Sequence, residues 1–403
     1  MDYLPHDTHL IEEEFRGEKN LFDSIPEDIR LKKELRLGAG LSELQLKAQA
    51  KKISEKNNPP HASFLGAGFY RHYVPEVVDY ILSRPEFYTA YTPYQPEASQ
   101  GMLEILFEYQ SLVCLLTGCE VSNASLYDGP TALAEACLMA CRIKKKKTVY
   151  ASDTLNPMYL RVLETYARFC GFKVRKYDCK EPLFSEDACA VVFQNPDFFG
   201  KIHDADEADL PEDPLKIICV CEATSFGLID PPPNLDICCG EMQALGNPLN
   251  FGGPSLGFLA TKQKHVRRMP GRLVGQTKDG QGNPGFVLTY QTREQHIRRA
   301  KATSNICTSQ SLNAACMVAY LKLLGSKGLE RVAWESHQNA KYLRKRITEI
   351  PGTNLASSDA FYNEFLIEAG ESLPEKAQEK GIELGFRVSR WTPEYPQHLL
   401  LCA

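Results

Sequence analysis

The 403-residue chain has only 2 tryptophans and no surplus of basic residues, with 46 Lys+Arg against 51 Asp+Glu. The formal net charge of -5 excludes a general binder of nucleic-acid backbones, which needs excess cations to displace counterions. No stretch approaches the ~18 consecutive apolar residues of a membrane span. The opening MDYLPHDTHLIEEEF lacks the cationic and then apolar pattern of a secretory signal, so a cytoplasmic location is expected. The sequence holds no CxxC pair and no HExxH, and its 14 cysteines match no zinc template. Several of them sit in apolar runs such as IICVC and AACMVAY, and they read as buried thiols packing as small hydrophobes. No metal site is expected.

What is present is the composition of a globular chain, 43% apolar and 24% charged, long enough for two or three domains at ~150 residues each. Residues 1–60 read as an N-terminal arm with helices. SIPEDIRLKKEL has Ser24 as an N-cap candidate and Glu27 three residues later, which predicts one helix; a second follows Leu41 and stops at the NNPPH breaker. Residues 61–310 alternate helix and strand patterns. GMLEILFEYQSLVCLLTG, DGPTALAEACLMACRI and NPMYLRVLETYARFCG are amphipathic helices, while TVYAS, FKVRKY, ACAVVF and KIICVCE are strands. The nearly continuous apolar runs of the last two suit buried parallel strands, so an α/β layered domain is expected. Residues 311–403 read as a smaller α+β domain: helices SQSLNAACMVAYLKLLG and GLERVAWESHQNAKYLRKRITEI, then short strands, ending on the apolar LLLCA.

Two pattern matches fail their physical tests. GQGNPG, 280–285, has the letters of a dinucleotide fingerprint but is followed by the strand-like FVLTY instead of a helix. GPSLG, 253–257, has the letters of a nucleophile elbow but leads into the strand-like LGFLAT. More informative is FYTAYTPYQPEASQG, 87–101, with four aromatic rings ahead of Pro96. A solvated loop does not carry so many rings; the segment either packs at a subunit interface or lines a site.

FLGAGFYRHYVP, YTAYTPYQPEASQG, ASLYDGPTALAEA, QNPDFFG, FGGPSLGFLAT and above all GFVLTYQTREQHIRRAKATSNICTSQSLNA resemble the glycine decarboxylase P-protein family. Within it, the chain resembles the first (α) subunit of the two-subunit type, over nearly its whole length. The resemblance implies the pyridoxal-phosphate (PLP) transferase fold type I: a large domain with a mixed, mostly parallel sheet and a smaller α+β C-terminal domain. It also implies glycine decarboxylation with transfer of the aminomethyl group to the lipoyl arm of H-protein, PLP acting as electron sink. The implied partners are a β subunit, in an αβ pair doubled into α2β2, and H-protein, with the T- and L-proteins indirectly. No nucleic acid and no membrane are involved.

The family chemistry needs a lysine to form a Schiff base after a large-domain strand, yet residues 217–261 contain none. CCGEMQALG puts Gln243 at or beside that position, Glu222 is a relic of the carboxylate that pairs with the pyridinium, and Asp128 would repel a phosphate at its cradle. The chain is therefore expected to be the non-catalytic half, inactive alone, with no catalytic residue of its own and with PLP on the β chain. Tyr91, Thr92, Tyr94, Gln95, Glu97 and Gln100, with Ser304, Asn305 and Thr308, are the candidates for completing a site across the interface; dimer packing without substrate contact is the other reading. The competing function is a non-enzymatic scaffold or regulatory protein on a degenerate fold. The chain departs from the pattern twice: Glu-Met stands where the family carries Asp-Gly, which puts the local turn in doubt, and the chain ends at LLLCA where the family runs into one more helix, so that either the small domain is incomplete or the final helix is lost or supplied differently, with an uncovered strand edge expected there.

Overall fold

The computed structural model describes residues 8–16, 22–33, 35–88, 92–178, 184–203, 213–370 and 372–403. The chain divides into two units, Met1–Pro59 and Pro60–Ala403. In the first, helices cover Thr8–Glu14 and Glu43–Ser54. The second of these starts with a capping box: Gln45 N–H donates to the Ser42 hydroxyl and Ser42 N–H to the Gln45 side chain. No residue of that helix is buried. The helix expected from Ser24 does not form. Single turns closed by Ile25 N–H to Phe22 and Ile29 N–H to Pro26 take its place. Its apolar residues Ile29, Leu31 and Leu35 are exposed.

The second unit is built on a seven-stranded sheet. Numbered along the chain, its strands are β1 (Val121–Ser122), β2 (Thr148–Ser152), β3 (Lys173–Tyr177), β4 (Ala188–Gln194), β5 (Leu215–Val220), β6 (Ile237–Glu241) and β7 (Gly257–Thr261). Their order across the sheet is β1-β7-β6-β5-β4-β2-β3. β7 runs antiparallel to both neighbours, and the remaining pairs are parallel. β4 and β6 are buried along their full length because helices cover both faces. Alternation sorts the side chains: Ile217, Cys219, Ile237 and Cys239 join the core with helices Gly129–Lys144 and Pro157–Cys170. Ile218, Val220 and Cys238 face the core shared with Gln100–Thr117 and Ser311–Ile347. This is the expected α/β architecture.

The long C-terminal helix region breaks at Gly325 (φ 62°, ψ −177°), so the two helices read from the sequence meet at that glycine. A four-stranded antiparallel sheet follows, in the order Thr353–Leu355, Glu364–Ala369, His398–Cys402, Phe386–Arg387. The apolar LLLC run is thus an interior strand paired on both sides, which corrects the expectation of an uncovered edge there. Its apolar side chains are buried on both faces, Leu399 and Leu401 in one cluster and Leu400 in another. Among the described residues no helix is long and apolar enough to cross a membrane, and no group of metal-ligating side chains converges.

Candidate functional site

Parallel strands deliver their C-terminal ends to one edge of a sheet, where α/β folds place ligands. Here that edge holds Glu222, just past β5, and Gln243, two residues past β6. Gln243 is 2% exposed; its N–H donates to Glu241 Oε1 at 3.0 Å and its amide donates to the Asn247 carbonyl. Beside it, helix Gly129–Lys144 presents its N-terminus, the arrangement that usually cradles a phosphate. Asp128 is the N-cap and spends its carboxylate on Thr131, accepting from the backbone N–H at 2.8 Å and the hydroxyl at 2.7 Å. The Gly129 N–H donates to Glu241 Oε2 at 3.0 Å, and Glu241 Oε1 accepts from Leu256 N–H at 2.6 Å. Burial pushes the Glu241 carboxyl up to about 7, against the pull of these N–H donors. The space at Gly129 is closed as well: a Cβ there would lie 2.1 Å from the Tyr159 hydroxyl. The cradle is therefore filled from within by a carboxylate.

Glu222 accepts from Thr224 N–H at 2.9 Å, and His72 Nε2 lies 3.3 Å from its other oxygen. Burial is the largest single influence on His72 and would lower its pKa, but the charge of Glu222 and the hydrogen bond to it together outweigh burial, and the net shift is upward. Deeper in, Glu364 accepts from Ala67 N–H and Tyr70 hydroxyl, each at 2.6 Å, and burial pushes its carboxyl up to about 7. These groups satisfy one another as a sealed polar cluster.

The two segments singled out in the sequence meet elsewhere. Tyr94 and Asn305 line one cavity of about 430 Å³, with Arg272, Glu294, His296 and Arg299. Arg272 joins them: its guanidinium donates to the Tyr94 hydroxyl at 2.7 Å and to the Cys307 carbonyl, and sits 5.1 Å from the Tyr94 ring centroid. Tyr94 also meets His296 edge-on at 5.7 Å. Gln100 has another task. Its side chain donates to Phe286 O (2.9 Å) and accepts from Phe286 N–H (2.8 Å), clamping the hairpin of Leu273–Lys278 and Pro284–Thr289. GQGNPG is the tip of that hairpin, and Ser255 stands just before strand β7. Thr92 is half-buried, and Gln95 and Glu97 are exposed around the turn Pro96–Ala98. The Ser304 hydroxyl accepts from Ile306 N–H at 3.1 Å, and Thr308 is half-buried. Tyr91 lies outside the described residues.

Sequence reasoning missed Arg272, Glu294, His296 and Arg299. The available signal was charge set against apolar strand residues, in PGRLVG and TREQHIRR.

The family model of the glycine cleavage system P-protein matches residues 16–394. The chain belongs to the glycine cleavage system P-protein family. It is 43% identical over 398 residues to the probable glycine dehydrogenase (decarboxylating) subunit 1 of Moorella thermoacetica, covering 95% of this chain and 89% of the relative. The subunit 1 of Chlorobaculum parvum is 44% identical over 391 residues, covering 92% and 88%. The crystal structure of an inhibitor-bound glycine decarboxylase (P-protein) superposes with a TM-score of 0.91 at 39% identity, over 100% of this chain and 95% of that one. A sphingosine-1-phosphate lyase from Burkholderia pseudomallei shares only the fold, at 14% identity and a TM-score of 0.62 over 93% and 88%. The fold is the PLP-dependent transferase fold type I. Set against the cofactor of that fold, the residues here do not fit: residues 217–261 carry no lysine, and Glu241 holds the helix N-terminal N–H that a phosphate would use.

Proposed function

We propose that this chain is the α subunit, subunit 1, of a two-subunit glycine dehydrogenase (decarboxylating), and that PLP is carried by a β subunit. In the assembled enzyme glycine releases its carboxyl group as CO2, and the remaining aminomethyl group passes to the oxidised lipoyl arm of H-protein. The observation that carries this reading is the pairing of a whole family fold with a cradle closed by Glu241 and a buried Gln243. Such a chain keeps the shape of the enzyme without its covalent chemistry, so it works as a structural and site-completing half.

In this reading Tyr94 and Asn305 face the shared site, because the cavity they line is open to solvent and bordered by the charged Arg272, Glu294 and Arg299. Thr92, Gln95, Glu97, Ser304 and Thr308 flank it, and Gln100 holds the hairpin behind it. The assembly is α2β2, H-protein is its substrate-bearing partner, the T- and L-proteins follow it in sequence, and the location is cytoplasmic.

The test is a paired measurement. The chain is purified alone and with its β subunit, given PLP, and its absorption recorded before and after borohydride; exchange of the glycine carboxyl with bicarbonate is then followed with H-protein. Bound cofactor and exchange only in the mixture are expected. PLP trapped on this chain alone, or no exchange in the mixture as a scaffold would give, overturns the reading.

A further inference from the structure

Two cysteines meet where helix Gly129–Lys144 packs on strand β4. Cys141 is in the last turn of the helix and half-buried; Cys189 is the second residue of β4 and fully buried. Their sulfurs are 3.3 Å apart. A disulfide bond is about 2.05 Å long, so the pair is only about 1.3 Å short of one. An irregularity in the sheet delivers Cys189 to this position. Thr148 of β2 pairs with Ala188 and Val149 with Ala190, which makes Cys189 the extra residue of a β-bulge. Cys189 and Ala190 consequently both join the core under the helix, whereas strict alternation would send Cys189 to the opposite face with Val191. A bulged residue stands outside the regular ladder and shifts more readily than its paired neighbours.

Entering a disulfide takes access, a fraction of thiolate and a second sulfur in reach. Cys141 has all three. A hydrogen bond from Cys189 chiefly, and then the charge of Arg142, lower its pKa against its partial burial. Cys219, Cys221, Cys238 and Cys239 are by contrast sealed in the core, away from any outside reagent. We propose that Cys141 and Cys189 are an oxidation site, which closes to an intrachain disulfide by exchange with a small-molecule disulfide. In the first step the Cys141 sulfur attacks one sulfur of the small disulfide. That S–S bond breaks, and one small thiol leaves with the Cys141 proton. In the second, the Cys189 sulfur attacks Cys141, the mixed disulfide breaks, and the second small thiol leaves with the Cys189 proton. The chain gives up two electrons and two protons, and the small disulfide is reduced to two thiols.

The test uses the full chain, folded and reduced. Oxidised glutathione is added, the remaining thiols are blocked with N-ethylmaleimide, and peptides are mapped without reduction. A Cys141–Cys189 link that dithiothreitol reverses is expected. Glutathione retained on Cys141 should be less than about one-tenth of the linked form, because a thiol already in contact outcompetes thiols in solution. Cys189→Ala should trap the first step and raise glutathione on Cys141 about ten-fold or more. Cys141→Ser should leave Cys189 unmodified, because Cys189 itself is buried. Circular dichroism checks the fold of each variant; if Cys189→Ala does not fold, the wild-type map and Cys141→Ser decide. The proposal is overturned by glutathione that stays on Cys141 of the wild type, or by both thiols still open to N-ethylmaleimide once exposed Cys170 and Cys307 have reacted. A link from Cys189 to Cys137, one turn earlier on the same helix, or glutathione on Cys189 of Cys141→Ser overturns it equally.

Discussion

Single residues set the interior of this chain by what they exclude. Gly240 has φ 151°, and a Cβ on it would lie 1.9 Å from the Val220 carbonyl oxygen of the neighbouring strand. Neither backbone can retreat inside a covered sheet, so Gly240→Ala should cost about 3 kcal/mol or more, read as a shift in the urea midpoint without a change in slope. Glu364 gives a pH dependence. Its folded carboxyl is raised to about 7, above the ordinary glutamate range, so the folded state holds a proton that the unfolded chain releases. This contribution is fully present below the unfolded pKa, is lost as pH rises through about 7, and is flat beyond. Relative to Glu364→Gln, wild type should therefore lose roughly 3 kcal/mol between about pH 4.5 and 8, checked by urea unfolding at the two ends. A difference that grows with pH would mean that Ala67 and Tyr70 hold the carboxylate ionised.

Among elements, the hairpin of Leu273–Lys278 and Pro284–Thr289 depends on one side chain outside it. Gln100 gives Phe286 both a donor and an acceptor, as a neighbouring strand would. Gln100→Ala should cost about 1–2 kcal/mol and accelerate amide exchange in Pro284–Thr289 more than in β4. Equal protection in both would show that the Phe107–Phe286 ring contact, 5.3 Å between centroids, holds the hairpin without Gln100. After Ser24 the capping letters are present and no helix forms; a cap contributes only about 1 kcal/mol. By contrast Gln100–Thr117 had both a stripe and a place to bury it, with Met102, Leu106, Tyr109 and Val113 all inside.

At the scale of the whole molecule, the lack of lysine in residues 217–261 is not the only barrier expected against PLP. Glu241 occupies the helix N-terminus with its own carboxyl group, so Gln243→Lys by itself should retain no stoichiometric cofactor after borohydride. Adding Glu241→Ala removes the competing carboxyl group but leaves Asp128 as the cap, and the double variant should bind PLP only weakly. Absorption spectra of the two variants check this. A tightly held stoichiometric band in the single variant would show that Glu241 yields its place. The protein then has two features near the C-terminal edge of the sheet: a helix N-terminus closed by Glu241, and a solvent-open cavity under Tyr94.

The sequence by itself determined the layered fold and the absence of lysine from residues 217–261, because both are local facts. The nearly continuous apolar runs of β4 and β5 specify strands covered on both faces, glycines past the helix ends specify where helices stop, and a residue type is either present in a segment or not. It also marked the segments around Tyr94 and Asn305 through an excess of rings and a dense family motif. Only the tertiary structure decided that Tyr94 and Asn305 share a cavity while Gln100 turns away to a hairpin. The residues joining them, Arg272 and Glu294, lie far from Tyr94 along the chain, and their charges look like ordinary surface charges until burial removes the water. It likewise took the three-dimensional pairing of Gly129 with Glu241 to show the cradle filled, because a hydrogen bond across 112 positions leaves no local trace.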